Sequence, residues 1–384
     1  MRAPLAILML AMSGFFALGA GQASASHVSC GDTITADTTL DGDLVDCPSN
    51  GIVIGADGIT VDLNGHTIDG DGELEDCPEG EPCDIGILSD GHAGVTVRDG
   101  AVREFAVAVI VGGAPNNRLL HLSLTRSTFS GALIFDSPGA RFERNMVAAN
   151  GLNTDQAGVG VFSSPDSRIA RNEISDNGDI GVFGQEADDI VFERNVVSGH
   201  PEAAFLIEGS RNVFTRNRLT RNAEGITVGG DENVITRNHV SDVPLSEEGG
   251  GLGIFAAAGH DNLVTRNVVV RAARVGIQVS LLPDELEGGP GAVNTVVRHN
   301  VLRGNRDGIY VLETAENTLI EDNFALASED DGIDVDSPLT TLTGNRALRN
   351  GDLGIEAVLG VTDGGGNKAH GNGNPAQCTN VACG

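Results

Sequence analysis

"VFTRNRLTRNAEGITVGGDENVITRN", residues 213–238, carries the signal that decides the fold. Two short apolar-polar runs each close on an asparagine, Asn217 and Asn238, and between them stands Gly-Ile-Thr-Val. Each piece is three to five residues long and alternates with a period of two, the pattern of a short strand with one buried face. Glycine and asparagine punctuate the turns, and no apolar spacing of helical period appears. Working outward, the same asparagine recurs at Asn145, Asn172, Asn195, Asn217, Asn238, Asn267, Asn300, Asn323, Asn345 and Asn367, at gaps of 27, 23, 22, 21, 29, 33, 23, 22 and 22 residues. The Gly-Ile-x-Val mark keeps step with it at residues 225, 253, 276, 308, 332 and 354, with variants earlier in the chain.

Three short strands in about 22 residues make one coil of a solenoid, because a single coil cannot bury its apolar face and a stack can. The spacing predicts an all-β, single-stranded right-handed parallel β-helix of about 12 coils of roughly 22 residues, with rungs about 4.8 Å apart. The repeated asparagines then read as turn residues that stack on one another and satisfy backbone groups. The arginine preceding many of them reads as a solvated or laddered surface residue.

The expected organisation is a signal peptide over 1–25, an N-terminal cap over 26–50, the solenoid over 51–366 and a disulfide-tied C-terminal cap over 367–384. Arg2, the run "LAILMLAMSGFFALGA" and "ASA" at 23–25 have the order of charged start, apolar core and small-residue cleavage site. That segment implies a secreted or periplasmic protein, and no later stretch is apolar enough for a membrane span. All six cysteines follow it and fall into local couples: Cys30–Cys47, Cys77–Cys83 and Cys378–Cys383 are the expected disulfides.

Twenty-four Lys and Arg against 54 Asp and Glu give a net charge of −30, with Lys368 the single lysine. That balance disfavours nucleic acid and anionic membranes as partners. Glycine is abundant at 53 residues, tryptophan is absent and there is one tyrosine, a balance that predicts many turns and a core of Val, Ile, Leu and Asn rather than aromatics.

The G-I-x-V and x-V-x-x-N units resemble the right-handed parallel β-helix proteins of the pectin-lyase-like fold, over nearly the whole mature chain. That fold carries lyases, hydrolases, epimerases, adhesins and accessory proteins, so the resemblance implies architecture more sharply than activity. It directs attention to the strand bearing Gly-Ile-x-Val. Insertions at 70–84, 149–157, 242–252 and 280–292 flank that strand, and loops gathered on one face of a rigid scaffold commonly build its site. Its x residues form an outward stripe that is apolar early (Leu133, Phe183, Leu206, Phe255), then Gln278 and Tyr310, and acidic late (Asp334, Glu356). Phe183, Phe255 and Tyr310 are candidates for stacking on sugar rings, with Arg274 and Arg306 beside them. The alternative is that loops pack over the stripe.

Asp334 and Asp336 point outward, and Glu356 follows one coil on. Stacked carboxylates repel, so either a cation neutralises them or one keeps its proton. The first outcome makes Asp330, Asp334 and Asp336 candidate Ca²⁺ ligands, the only cofactor the sequence suggests. The second makes Asp307, Asp331, Asp334 and Glu356 candidate acid/base residues for a glycosidic bond. "NRDGI" (305–309) and "SEDDGI" (328–333) resemble the N-T-D-G-I and G-D-D signatures of polygalacturonase-type hydrolases, which implies roles for Asp307, Asp330 and Asp331. Leu353 stands where that family has a histidine, and no R-I-K follows. The D-P-H-D signature of alginate epimerases is absent. A likeness to NosD-type accessory β-helix proteins exists at the level of fold, but Met146 is the single methionine of the mature chain and the histidines are scattered, a poor basis for soft copper ligation. The partner expected is a polysaccharide or cell-surface glycan, bound by a monomer. The competing expectation is a non-catalytic surface or envelope protein.

Overall fold

The computed structural model describes residues 27–73, 84–152, 156–246, 249–281 and 291–384. The expected signal peptide and the couple Cys77–Cys83 lie outside these residues. Among the described residues every regular element is a strand, and no helix is long and apolar enough to cross a membrane. The strands wind as a parallel β-solenoid with three strands per turn. One runs through the Gly-Ile-x-Val segment and forms the front sheet; the other two, on either side of the repeated asparagine, form two rear sheets.

The front sheet stacks fourteen rungs, from Asp32–Ile34 to Ile355–Ala357. The count exceeds the expected 12. One extra turn is built by residues 32–47, whose strands pair in parallel with the coil above, with a register shift between Leu44 and Cys47, although they lack the Gly-Ile-x-Val mark.

Burial follows the alternation. Ile226, Ile254, Ile277, Ile309, Ile333 and Ile355 stack in one column and are wholly buried. Mid-solenoid the core departs from the expected absence of aromatics, because inward positions of two successive coils carry phenylalanine: Phe192 and Phe214 stack at 4.7 Å, and Phe205 meets both rings edge-on at 5.4 and 5.7 Å. Gly225, Gly253 and Gly276 lie so close to the next coil that an added Cβ would stand 2.1–2.5 Å from its carbonyl oxygen. The glycine of these marks is therefore a packing requirement, while Ala108 and Ala204 take the equivalent place on two earlier rungs.

The asparagines hold the turns. Asn217 Oδ1 accepts the Asn195 backbone N–H at 2.9 Å and its Nδ2–H at 3.1 Å, while Asn217 Nδ2 donates to the Phe192 carbonyl at 2.9 Å and to Asn238 Oδ1 at 3.0 Å. The same pattern runs from Asn145 to Asn367. A second ladder links Asn150, Asn177, His200 and Asn222, and desolvation pushes the His200 imidazole down to about 4, so it serves as a neutral rung. Near the C-terminal end Asn350 donates to Asn372 in the same manner, and Gln377 ends that run by accepting from the backbone N–H and Nδ2 of Asn372. Cys30 is joined to Cys47 and Cys378 to Cys383, tying both ends of the stack.

Asn217→Ala leaves a buried N–H and a buried carbonyl unpaired, and should lower stability by about 3 kcal/mol, read by denaturant unfolding. Arg216→Gly, at the adjacent left-handed turn residue (φ 58°), should be neutral or stabilising. Equal losses in the two variants would contradict this account of the turn.

Candidate functional site

The outer face of the front sheet changes character along its length. At its early end Leu133, Gly160, Phe162 and Phe183 line an apolar groove of about 240 Å³ with Ser130, Ala157 and Ile180. Phe183 is half-buried and meets Phe162 at 5.8 Å between ring centroids, so part of one ring remains open.

In the middle the stripe is covered. Phe255 is only 9% exposed and packs with Leu252, Ala257 and Val275, with Leu281 and Tyr310 against them. It offers no open ring to a ligand, which corrects its reading as a stacking residue. The cover reflects insertions whose lengths the repeat does not specify: Leu281 enters the one at 280–292, while the other, near 242–252, forms a small hairpin, Leu245–Ser246 against Gly249–Gly250. Beside the cluster, burial raises the Glu224 carboxyl above its usual range, opposed by a hydrogen bond from Thr227 Oγ1 at 2.5 Å and by the charge of Arg274. Arg274 and Arg306 both lie exposed at the rim, Arg306 at 3.9 Å from Asp330.

The late end is a set of carboxylates on three successive rungs. Tyr310, Asp334 and Glu356 are direct register neighbours. Flanked by buried Ile333 and Val335, Asp334 must project outward, into a neighbourhood of like charge. Burial first, then the charges of Asp336, Glu356, Asp307 and Asp330, push its carboxyl up to about 7. Asp331 is 5% exposed. Burial holds its carboxyl well above the ordinary range despite a 2.7 Å hydrogen bond from the Leu353 N–H, and the neighbouring Glu356 carboxyl adds to the rise. Asp307 is likewise raised by burial, while its Oδ1 accepts the Asp331 N–H at 3.2 Å. Tyr310 Oη donates to Asp336 Oδ2 at 2.7 Å; burial and that bond keep the phenol protonated far above its usual range.

Asp307, Asp331, Asp334 and Glu356 are therefore brought together. The expected Ca²⁺ set is not: Asp336 is engaged by Tyr310, and Asp330 groups instead with Asp331 and Asp352, whose nearest carboxylate oxygens all lie within 4.8 Å of one another. Asp352 and Glu224 escaped the sequence reading. Asp352 had a signal: Arg306, Asp330 and Asp352 hold the same place two residues before the glycine, and their backbones are chained rung to rung at 2.9 and 3.0 Å.

The comparisons agree with this architecture. The family described as "Right handed beta helix region" matches residues 85–233, and the family described as "Periplasmic copper-binding protein (NosD)" matches 187–285 and 235–372. No curated protein matches the chain. Among solved structures, the DFA-IIIase from Arthrobacter chlorophenolicus A6 in complex with GF2 is 13% identical with a TM-score of 0.47, covering 67% of each chain. The periplasmic alginate epimerase AlgG is 14% identical, TM-score 0.47, over 83% of this chain and 75% of its own. The alginate lyase from Paenibacillus sp. str. FPU-7 is 14% identical, TM-score 0.44, over 77% and 92%. At this distance the likeness is one of coiling.

The raised carboxyls have a measurable consequence. A group whose folded pKa lies above its unfolded value adds stability below the unfolded pKa and loses it as pH rises through the folded one. Above pH 7 an ionised Asp334 thus weakens the fold. Asp334→Asn should raise stability by about 1–2 kcal/mol at pH 8, allowing for solvent screening, with the gain shrinking as pH falls toward 4. A gain independent of pH in thermal melts would contradict the assignment. With coil, register and buried asparagine ladder in place, the chain is a right-handed parallel β-helix repeat protein.

Proposed function

We propose that the protein engages an extracellular or periplasmic polysaccharide along the front sheet and acts on a glycosidic bond at the carboxylates of its late end. The observation that supports this is the stacking of Asp334 directly on Glu356, with Asp331 beside them, where burial and neighbouring charge push the Asp334 carboxyl up to about 7. An acid and its conjugate base held together at working pH are what general acid/base catalysis requires. In this reading Asp334 protonates the leaving oxygen while the Glu356 carboxylate attacks the anomeric carbon, and the ionised Asp334 then takes a proton from the water that displaces Glu356 and releases the sugar. A rung spacing of about 4.8 Å lies near the carboxylate separation used in retaining glycoside hydrolysis. Tyr310 fixes Asp336 and walls the site, and Arg306 stands at the rim where an acidic sugar would meet it. The half-open Phe183 groove provides an apolar contact farther along the same face. The N-terminal segment and the disulfides agree with an oxidising compartment.

A second reading rests on the grouping of Asp330, Asp331 and Asp352: a cation held there would neutralise the cluster. All three donors are carboxylates, a hard oxygen set that suits Ca²⁺ or Mg²⁺ and fits copper poorly, in contrast to the copper-binding name of one matching family.

A panel of polysaccharides assayed for reducing ends and for unsaturated products tests the first reading. Asp334→Asn and Glu356→Gln should each lower kcat at least 100-fold on whichever polymer is cleaved; unchanged turnover in both would remove the assigned site. For the second reading, millimolar Ca²⁺ should raise the melting temperature of the parent protein and not of Asp352→Asn, since a ligand specific to the folded state stabilises it. No shift in the parent protein would exclude that cation.

A further inference from the structure

The arginine before the ladder asparagine forms a ridge. Arg144, Arg171, Arg194, Arg216, Arg237 and Arg266 occupy the same turn on six consecutive rungs, all exposed, with φ between 55° and 61°. At about 4.8 Å per rung the ridge is roughly 24 Å long. Nothing in the fold requires arginine there. The next rungs place His299, Asp322, Gly344 and Gly366 at the same turn, and a left-handed backbone favours glycine or Asp over a long side chain by about 1 kcal/mol per residue. Six stacked guanidinium groups also repel one another.

Acids do not explain the arrangement. Glu193 pairs with Arg194 at 3.0 Å and Arg216 at 3.7 Å, whereas Arg171, Arg237 and Arg266 make no ion pair among the described residues. Alongside, on the adjoining rear sheet, Arg118, Arg141 and Arg168 are stacked in register and wall a groove of about 390 Å³ with Asn116, Asp166 and Ser167. Arg168 is held by Glu143 and Glu193; Arg118 and Arg141 have no acid partner among the described residues. A smaller hollow bounded by Arg141, His121 and Arg144 joins the groove to the ridge. In a chain of net charge −30 this is a concentrated positive edge, on a different face from the carboxylates.

We propose that this ridge and groove bind a linear acidic polysaccharide, carboxylated or sulfated, laid along the solenoid axis. The chemistry matches on two counts. Guanidinium forks pair with carboxylate and sulfate oxygens in bidentate fashion. A straight column of evenly spaced cations also suits a polymer with about one charge per sugar ring. Duplex DNA carries a charge about every 1.7 Å and would bring far more negative charge against the acidic remainder of the protein. The site is separate from the front sheet and stands whether or not that face is catalytic.

The test is titration calorimetry of the full protein at low salt with polygalacturonate, with a sulfated dextran, with neutral dextran and with duplex DNA. The two acidic glycans should bind with an affinity that falls steeply with added salt, and neutral dextran should not. Combined Arg171→Gln, Arg216→Gln, Arg237→Gln and Arg266→Gln should weaken binding at least tenfold with an unchanged melting temperature, while Arg349→Gln, at an exposed turn outside the ridge, leaves that binding intact. If the fourfold variant does not fold, Arg118→Gln with Arg141→Gln carries the same expectation. Absence of binding by either acidic glycan, or parental affinity in the arginine variants, would overturn the proposal. DNA binding as tight as that of the glycans would overturn the choice of ligand.

Discussion

The structure depends on one interaction, the buried side-chain amide that accepts a backbone N–H and donates to a backbone carbonyl, both on the preceding coil. A solenoid coil must turn three times in about 22 residues, and each tight turn leaves backbone groups without a strand partner. In water that deficit is harmless; inside the stack each orphaned group costs about 1–3 kcal/mol. Asn217 and its counterparts meet the demand on the ten rungs from Asn145 to Asn367 with one residue type. Because each amide bonds to the amide above, the ladder also fixes register, and a slip by one residue would break all its rungs together. The front sheet inherits its alignment from this constraint.

That alignment explains why the late end of the sheet is electrostatically unusual. Register puts Tyr310, Asp334 and Glu356 directly over one another at the strand spacing of about 4.8 Å, which keeps the carboxylates close. The fold is rigid there, so repulsion is relieved by protons or a cation rather than by movement. The same stacking that assembles a useless charge conflict in a purely structural protein assembles an acid beside a base in a catalytic one. On the opposite edge, repetition of one arginine position creates a field of the other sign. A repeat protein can thus carry two unlike binding faces by varying residues that the ladder leaves free.

Much of this was legible in the sequence because the physics is periodic. Gly-Ile-x-Val and the closing asparagine announced strand, turn and rung, and the outward direction of Asp334 followed from alternation alone. What escaped was set by geometry between coils. The first turn, residues 32–47, bears no mark and is recognised only by its pairing. Asp352 sits in an unremarkable "GDLG" and becomes part of a cluster because Asp330 and Asp331 lie beneath it. Phe255 looks like every other stripe residue, yet insertions of irregular length cover it while Phe183 stays half open. The turn arginines read as surface residues one at a time; only the stack shows that they form a continuous edge.

The central claim is that the front-sheet carboxylates hold a proton at neutral pH. Titration of the side-chain carboxyl carbons by NMR, assigned through Asp334→Asn and Asp331→Asn, measures it directly. The account predicts a midpoint near 7 for Asp334, with Asp331 also well above the ordinary carboxylate range. Midpoints near 4 for both would show that the cluster is an ordinary solvated acidic edge and would contradict the site.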